Sequence, residues 1–378
     1  MQSKLPLVGT SVFTVMSSLA SEYGAINLSQ GFPDFKVSEE LISGVERYMK
    51  MGMNQYAPSS GIEPLRKAIA EKNGSLYGCN IDHDKMVTIT SGATEALFCA
   101  FSSVIEKDDE VIVLEPAYDS YIPVIKLNGG IPVSVPLKFP DFCIDWDLVK
   151  AKLNEKTKAI VINTPHNPTG STLGSNDLLE LEKVVLENDL YVISDEVYHH
   201  IIFDNKTHES VLKYEELSKR SFAVFSFGKT FHTTGWKVGY VIAPEKLTEE
   251  VRKIHQYLTF SVHTPTQFAL ADFLSDASNY NELGSFYQEK RDYFLDAIKD
   301  SKFKPIQSSG TYFQLLSYEG ISDLSDVEMA EKMTIESGLA SIPISGFYSS
   351  GKDDKILRFC FAKNNGTLEK AAEILCKI

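Results

Sequence analysis

Short apolar runs alternate with amphipathic stretches along most of the chain. The runs predict buried strands, because each is short and is bounded by polar or turn-forming residues; they cover residues 86–90, 110–114, 131–135, 159–163, 190–194, 222–227 and 238–242. Apolar residues at helical spacing predict helices over 38–51, 61–76, 94–104, 176–187 and 261–274. Such alternation indicates βαβ crossovers, so we expect an α/β fold whose mostly parallel seven-stranded sheet lies between helices.

The pattern changes beyond residue 280. Predicted helices over 280–298, 326–336 and 368–376 are here separated by predicted strands over 311–316 and 356–360. A chain of 378 residues also exceeds the size at which a single core keeps growing. We therefore expect a large domain over 38–284 and a smaller α+β domain built from 1–37 and 285–378.

Composition and charge narrow the classes of function. The formal net charge of -14 and the pI near 5.1 argue against a nucleic-acid surface or an anionic membrane, since both require clustered Lys and Arg. No apolar run is long enough to span a bilayer, and no H-E-x-x-H pattern predicts a metal site. The five scattered cysteines lack a C-x-x-C pair, so we expect reduced, buried thiols and a cytoplasmic protein.

The ends of the predicted strands place one group of residues at a single edge of the sheet. In an open parallel sheet, ligands bind outside the carboxyl ends of the strands. The residues at or just after these ends include Gly92, Ala93, Thr94, Tyr118, Asn167, Asp195, Tyr198, Ser226 and Lys229. Lys237 follows eight residues after Lys229 and leads into the last strand predicted for this sheet.

Lys229 is the first charged residue after the apolar run 222–227. A lysine beside apolar neighbours loses hydration as a cation, so its pKa is expected to fall toward values at which the neutral amine is a usable nucleophile. Such an amine can form an imine with an aldehyde. A single lysine after a strand is more often an ordinary surface residue. The neighbouring candidates are what favour a catalytic role here.

The residues at the strand ends also suggest a site for a phosphate group and a need for a cation beside Asp195. Backbone N–H groups at the helix start, residues 92–94, suit a phosphate group, and Ser226 and Lys237 would add a hydroxyl and a positive charge. Asp195 leaves an apolar strand, and a buried carboxylate requires a cationic partner. Each signal is weak by itself, because a plain turn or a core position would explain it equally well.

Two adjacent motifs carry a resemblance to a known family. They read Ser226-x-Gly228-Lys229 and Gly235-Trp236-Lys237-x-Gly239. Both resemble the lysine-bearing segment of fold-type I (class I/II) aminotransferases that use pyridoxal 5'-phosphate, and the chain is most similar to the methionine and kynurenine aminotransferase subgroup. The resemblance extends over essentially the whole chain, from Gln30 to Arg358. It implies an aspartate-aminotransferase-like fold and pyridoxal phosphate as the cofactor.

The resemblance also implies a role for each candidate residue. Lys229, Asp195 and Tyr198 would be catalytic. The implied cofactor site contains Gly92, Ala93, Thr94, Tyr118, Asn167, Asp195, Tyr198, Ser226, Lys229, Lys237 and Tyr56, and the implied substrate site contains Gly31, Asn167 and Arg358. In the family the residue at Tyr56 reaches the cofactor of the other subunit, so a homodimer is implied. Thr94 stands where several relatives carry an aromatic residue, which leaves its substrate contacts open.

The implied reaction is transamination between an L-amino acid and a 2-oxo acid. Dicarboxylate-specific relatives carry a second arginine in the segment corresponding to 257–265, whereas no arginine occurs here between Arg252 and Arg291. We therefore expect a neutral, large apolar donor of the methionine, phenylalanine or kynurenine type. Phe260 and Tyr56 are expected to line its pocket.

Three other functions are compatible with parts of the pattern. A carbon–sulfur β-lyase acting on cysteine conjugates would use the same site and stays open. A non-catalytic regulatory module on the same fold is disfavoured, because Lys229 is present. A nicotinamide-dependent dehydrogenase is disfavoured, because the chain has no G-x-G-x-x-G.

Overall fold

The computed structural model describes residues 3–6 and 8–378, so the predictions that include Met1, Gln2 and Leu7 lie partly outside the described residues. Within the described ranges the strands are β1 Ile26–Asn27, β2 Val87–Thr90, β3 Glu110–Glu115, β4 Ile131–Pro136, β5 Thr157–Asn163, β6 Tyr191–Asp195, β7 Ser221–Ser226, β8 Gly239–Ile242, β9 Lys304–Pro305, β10 Phe313–Ser317, β11 Leu339–Ala340, β12 Ile342–Pro343 and β13 Ile356–Cys360. They form three sheets of seven, four and two strands.

The helices connect and cover these sheets. They are α1 Val12–Glu22, α2 Glu39–Lys50, α3 Glu63–Tyr77, α4 His83–Met86, α5 Gly92–Val104, α6 Tyr121–Leu127, α7 Trp146–Lys152, α8 Ser175–Glu187, α9 Glu215–Ser218, α10 Phe227–Thr230, α11 Glu245–Leu258, α12 Thr264–Leu274, α13 Ser278–Asn281, α14 Leu283–Ala297, α15 Asp326–Lys332 and α16 Asn365–Leu375. No helix in the described part of the chain combines the length and apolarity needed to cross a bilayer.

The large sheet has the strand order β2-β8-β7-β6-β5-β3-β4 and contains all seven strands predicted for it. The pairs among β3 to β7 are parallel, whereas β8 runs antiparallel to both β2 and β7. The prediction of a mostly parallel seven-stranded sheet is therefore confirmed. Because β8 runs in the opposite direction, its first residue, Gly239, pairs with Ser226 at the carboxyl end of β7.

Both faces of the large sheet are buried. Along β3, Val111 and Val113 pack on the face covered by α5 and α11, while Ile112 and Leu114 pack into the larger apolar cluster on the other face. Successive side chains of a strand point to opposite faces, so a strand covered on both sides must be apolar throughout. This explains why the strands appear in the sequence as continuous apolar runs.

The four-stranded sheet has the order β12-β13-β10-β9, and its pairs are antiparallel. Arg358 on β13 lies between Leu315 and Ile342, so it is in the interior of this sheet. Strand β1 pairs in parallel with β11, which joins the N-terminal residues to this part of the chain. The domain limits at residues 38 and 285 stay a prediction.

Several element predictions differ from the structure. The helix predicted over 280–298 is broken into α13 and α14, where an added Cβ on Gly284 would lie 2.9 Å from the Ile202 carbonyl oxygen. Such close packing between a helix start and another segment cannot be seen in hydrophobic periodicity. Helix α11 was missed, because its buried residues Leu247, Val251 and His255 are spaced within a mostly charged stretch.

The cysteine prediction is partly wrong. All five cysteines are free, and Cys99 and Cys360 are buried, but Cys143 and Cys376 are exposed and Cys79 is half-buried. Cys376 caps the C-terminus of α16, where a helix end reaches the surface.

One charged residue of α3 lies in the core. Lys72 is buried, with its Nζ 3.0 Å from His199 Nε2 and 5.0 Å from the centroid of the Tyr280 ring. It has no carboxylate ion-pair partner in the described part of the chain. Burial lowers its pKa from 10.5 to about 7, because the charged form has lost its hydration.

We expect Lys72→Met to stabilise the protein more at pH 7 than at pH 10. The folded-state pKa lies below the unfolded-state value, so protonation of Lys72 opposes folding; the cost is complete below about pH 7 and disappears above about pH 10.5. The change in stability caused by the substitution should vary by about 1.4 kcal/mol per pH unit over that interval. Thermal unfolding of both proteins across the interval measures it.

Lys67→Met is the matched control on the same helix. Lys67 is exposed and pairs with Glu63, which raises its pKa. Its substitution should give a stability change that is nearly constant from pH 7 to pH 10. If Lys72→Met behaved the same way, Lys72 would not have the lowered pKa described above.

Candidate active site

A cavity of about 320 Å³ opens at the carboxyl edge of the large sheet, where that sheet meets the four-stranded one. Every site residue predicted from the sequence lines it except Tyr56: Gly31, Gly92, Ala93, Thr94, Tyr118, Asn167, Asp195, Tyr198, Ser226, Lys229, Lys237 and Arg358. Residues from nearly the whole length of the chain therefore converge on one cavity.

The strands position these residues directly. Asp195 and Ser226 are the last residues of β6 and β7, and Lys229 lies on α10, the single helical turn that follows β7. Lys237 reaches the same edge because it precedes the antiparallel strand β8, and it does so in a left-handed conformation with φ of 53°.

The amine of Lys229 is enclosed by polar oxygens and aromatic rings. Its Nζ donates to the Gly31 carbonyl oxygen at 3.1 Å and to the Tyr312 hydroxyl at 2.9 Å. It also lies 5.5 Å from the centroid of the Tyr198 ring. Burial lowers the pKa of Lys229 from 10.5 to about 8, with the nearby Arg358 charge lowering it further and Asp195 raising it. The direction agrees with the sequence-based expectation.

Asp195 is a buried carboxylate without a cationic partner. Its Oδ2 accepts a hydrogen bond from the Tyr121 hydroxyl at 2.7 Å, and its Oδ1 accepts one from the Val197 backbone N–H at 3.3 Å. It forms no ion pair within the described residues. Burial raises its pKa from 3.8 to about 6, and the Tyr121 bond opposes that rise. A ligand cation beside Asp195 would lower the cost of its charge.

Arg358 is fully buried and, like Asp195, has no ion-pair partner among the described residues. Its Nη1 donates to Asn167 Oδ1 at 2.6 Å and its Nη2 donates to the Ser29 carbonyl oxygen at 3.0 Å, while its Nε has no hydrogen-bond partner. The guanidinium carbon lies 3.9 Å from the centroid of the Phe313 ring. Burial lowers its pKa to about 10. No carboxylate in the described ranges pairs with it, which makes it a ready partner for an anion.

The opposite end of the cavity carries donors suited to a phosphate. Helix α5 begins at Gly92, whose φ is +72°, and an added Cβ there would lie 3.3 Å from Lys237 Nζ. Lys237 Nζ donates to Thr94 Oγ1 at 3.3 Å, and Ser226 lines the same part of the cavity. Backbone N–H groups of a helix start, a hydroxyl and an ammonium together form a typical anion site.

Sequence reasoning missed three polar residues that support the site. Tyr121 donates to Asp195, and Tyr312 contacts both Lys229 and Gly31. Asn163 donates to the Asp195 carbonyl oxygen at 2.8 Å and accepts from the Asn167 N–H at 2.7 Å. Asn163 could have been found as the polar end of an apolar strand. Tyr312 follows a turn in a distant part of the chain, where no pattern marks it.

Tyr56 lies outside the cavity of its own chain. It is 83% exposed, and its ring stands edge-on to Phe260 with centroids 5.3 Å apart. Neither residue lines the cavity, although both were expected at the substrate pocket. The role of Tyr56 at the site of another subunit stays a prediction.

Comparisons with known proteins agree with this geometry. Residues 23–375 match the model of the family described as aminotransferase class I and II. The chain is 47% identical to a methionine aminotransferase of Escherichia coli over 99% of this chain and 97% of the relative, and 32% identical to human kynurenine–oxoglutarate transaminase 1 over 95% and 93%. A crystal structure from Escherichia coli, described as identifying a methionine aminotransferase function, superposes with a TM-score of 0.97 at 46% identity and covers 100% of this chain and 99% of its own.

We expect Asp195→Asn to lower the pKa of Lys229 below about 8, since the Asp195 charge raises that pKa. Competitive labelling of the cofactor-free protein with acetic anhydride, read by mass spectrometry as a function of pH, measures the value for this one lysine. Asp119→Asn is the matched control, because the Asp119 carboxylate accepts from Ser11 instead. An unchanged Lys229 titration in Asp195→Asn would contradict the coupling of the two groups.

Proposed function

The chain belongs to the aminotransferase class I and II family, and from that premise we propose that it transfers the amino group of a large, neutral, apolar L-amino acid to a 2-oxo acid. It is an aminotransferase with the aspartate-aminotransferase-like fold, and this family and fold depend on pyridoxal phosphate. The observation that carries the proposal is Lys229: an amine whose pKa is lowered to about 8 shares one cavity with the unpaired groups of Asp195 and Arg358.

The residues of the cavity fit pyridoxal phosphate. Asp195 is a buried carboxylate that lacks a cationic partner, and a protonated pyridine nitrogen would supply one. The N–H groups of 92–94, the Ser226 hydroxyl and Lys237 are donors for a phosphate. Asn167 already accepts from Arg358 through Oδ1, so its Nδ2 is the group left to donate toward a phenolic oxygen, as is the Tyr198 hydroxyl.

When bound, pyridoxal phosphate supplies an aldehyde that condenses with the substrate amine and a cationic ring that takes up the electron pair released at the substrate Cα. Asp195 would hold the ring nitrogen in its protonated form, and Asn167 and Tyr198 would donate to the phenolic oxygen. Tyr118 would pack against the ring. Lys229 removes the Cα proton as a neutral amine and later returns it, and a pKa near 8 suits both roles close to neutral pH.

Arg358 and Gly31 hold the amino acid. The buried guanidinium, with its Nε unpaired, binds the α-carboxylate of the donor. The Gly31 backbone adds a contact to the same carboxylate, and only glycine fits there, since an added Cβ would lie 2.9 Å from the Phe313 ring. By binding the α-carboxylate, Arg358 orients the donor so that its Cα faces Lys229.

The rest of the lining favours an apolar side chain. Phe13, Leu97 and Phe313 contribute apolar surface, and the lysines and arginines that line the cavity within the described ranges, Lys229, Lys237 and Arg358, all have the other roles given above. A distal carboxylate would therefore enter without a cationic partner. The names of the relatives, methionine aminotransferase and kynurenine–oxoglutarate transaminase, support the same donor class. They do not favour the β-lyase alternative.

We also propose that the protein is cytoplasmic and forms a homodimer in which Tyr56 completes the cofactor site of the partner subunit. Within each subunit we propose a large domain and a small domain with limits at residues 38 and 285. Tyr56 and its contact Phe260 are flanked along the chain by further exposed apolar residues; these are Met49, Met51, Met53, Tyr257 and Leu258. Exposed apolar patches of this kind mark interfaces between chains. The five free cysteines are compatible with a reducing compartment.

We expect kcat/KM for methionine or phenylalanine to exceed that for aspartate by at least about a hundredfold at pH 8. The physical reason is the cost of burying the distal carboxylate without a partner. Steady-state assays of a donor panel against one 2-oxo acid measure the ratio. Comparable values for aspartate would refute the apolar-donor proposal.

Glutamine and glutamate provide the control for that panel. They have nearly the same length as methionine, and only glutamate carries a distal charge, so glutamine should be the better donor of the two. A cysteine conjugate tested without any oxo acid checks the β-lyase alternative. Thiol release at a rate comparable to transamination would favour the lyase.

We expect mixed dimers of Lys229→Ala and Tyr56→Phe to regain activity that neither variant shows alone. If Tyr56 acts across the interface, each mixed dimer contains one site free of both substitutions, so subunit exchange at equal concentrations should restore about a quarter of the wild-type activity. Exchange of Lys229→Ala with Asp195→Asn is the control: those residues share one chain's site, so no activity should return. A fully active monomer in light scattering would refute the proposal.

A further inference from the structure

Tyr312 connects the reactive lysine to the turn that holds the substrate. It immediately precedes β10, and its side chain is fully buried. Its hydroxyl donates to the Gly31 carbonyl oxygen at 2.6 Å, and the Tyr312 hydroxyl oxygen itself accepts from Lys229 Nζ at 2.9 Å. Since Lys229 also donates to the Gly31 carbonyl at 3.1 Å, the three groups form a closed triangle of hydrogen bonds.

The direction of each bond in the triangle is fixed. Burial raises the pKa of Tyr312 well above its ordinary value, so the phenol keeps its proton. A phenol has one O–H, and here it is directed at the Gly31 carbonyl oxygen. The Tyr312 oxygen can therefore act toward Lys229 only as an acceptor.

This arrangement orients the amine of Lys229. The oxygens of Tyr312 and Gly31 lie 2.6 Å apart and both accept from Lys229 Nζ, so both acceptors stand on the same side of the nitrogen. A neutral amine directs its N–H donors toward acceptors, so the lone pair is left on the side away from these two oxygens. The amine is thereby presented as a base on that side.

We propose that Tyr312 is a positioning residue that holds the free amine of Lys229, together with the Gly31 carbonyl, with its lone pair available to the proton on the substrate Cα. The inference rests on the proposed function. In the step it serves, the C–H bond breaks, its electron pair stays with the substrate carbon, and the proton forms a third N–H bond on Lys229. The ammonium keeps both bonds to the triangle, and its third proton is the one that Lys229 later gives up.

The same bonds tie the base to the substrate-binding turn. Gly31 is the residue proposed to contact the substrate carboxylate, and its carbonyl oxygen accepts from both Tyr312 and Lys229. A donor bound through Arg358 and Gly31 thus has its Cα placed relative to an amine that is fixed by the same residue. The hydroxyl of Tyr312 is the only part of that side chain needed for this role.

Tyr312→Phe, compared with Tyr287→Phe, tests the proposal. Tyr287 is also fully buried, its ring centroid lies 5.6 Å from that of Tyr312, and its hydroxyl has no hydrogen-bond partner in the described part of the chain. Both substitutions remove one buried hydroxyl and keep the ring. Only the first removes a contact to Lys229.

Three measurements distinguish a positioning role of Tyr312 from a purely structural one. In cofactor-free protein, acetic anhydride labelling should show a pKa of Lys229 below that of the wild type in Tyr312→Phe, because an ammonium loses a stronger hydrogen bond than a neutral amine does. In the complete enzyme, kcat should fall about tenfold or more with KM little changed. The primary isotope effect with Cα-deuterated methionine should rise, since proton transfer becomes slower. Tyr287→Phe should match the wild type in all three.

Failure of the positioning role of Tyr312 can be distinguished from failure of the proposed function. If Tyr312→Phe equals Tyr287→Phe in either the Lys229 titration or the isotope effect, the positioning role is overturned. If the wild type transfers no amino group from any donor, the proposed function fails. The Lys229 titration alone then decides whether Tyr312 holds the amine.

Discussion

Three ionisable side chains share one buried cavity without a permanent counter-charge, and the site depends on that constraint. Asp195 and Arg358 are buried and Lys229 is half-buried, and none of the three forms an ion pair within the described residues. Burial therefore lowers the pKa of the lysine to about 8 and raises that of the carboxylate to about 6. A ligand that carries an aldehyde, a cationic ring and a carboxylate satisfies all three groups at once. The protein is built to be completed by its cofactor and substrate.

The two larger sheets make this arrangement possible, because each contributes different side chains to the cavity. The parallel strands of the large sheet end at a common edge and deliver Asp195 and Lys229 there. The antiparallel strand β8 brings Lys237 to the same edge from the opposite direction. The four-stranded sheet supplies Arg358 from its interior, where the guanidinium carbon lies 3.9 Å from the centroid of the Phe313 ring. Rigid placement matters, because a carboxylate is recognised by direction as well as by charge.

Much of this was accessible from the sequence for definite physical reasons. A strand buried on both faces must be apolar throughout, so the seven apolar runs could be recognised in the sequence and predicted the seven strands of the large sheet. Polar residues that end such runs must meet at one edge, which identified Asp195 and Lys229 before any fold was known. Tyr121 was not found, because a tyrosine on a short helix looks the same whether it faces a carboxylate or the core. The break between α13 and α14 was hidden for a similar reason, since it depends on contact with Ile202.

By itself, the sequence determined the fold class, the family and the chemistry of the reactive residues, because periodicity and residue type are local properties. The tertiary structure alone decided the relations between distant residues. It put Arg358 between two strands, so that its guanidinium is buried and no carboxylate of the described residues pairs with it. It turned Tyr56 away from its own chain's cavity. It also joined Tyr312, Gly31 and Lys229 through three hydrogen bonds that span most of the chain, and no local pattern records a contact of that kind.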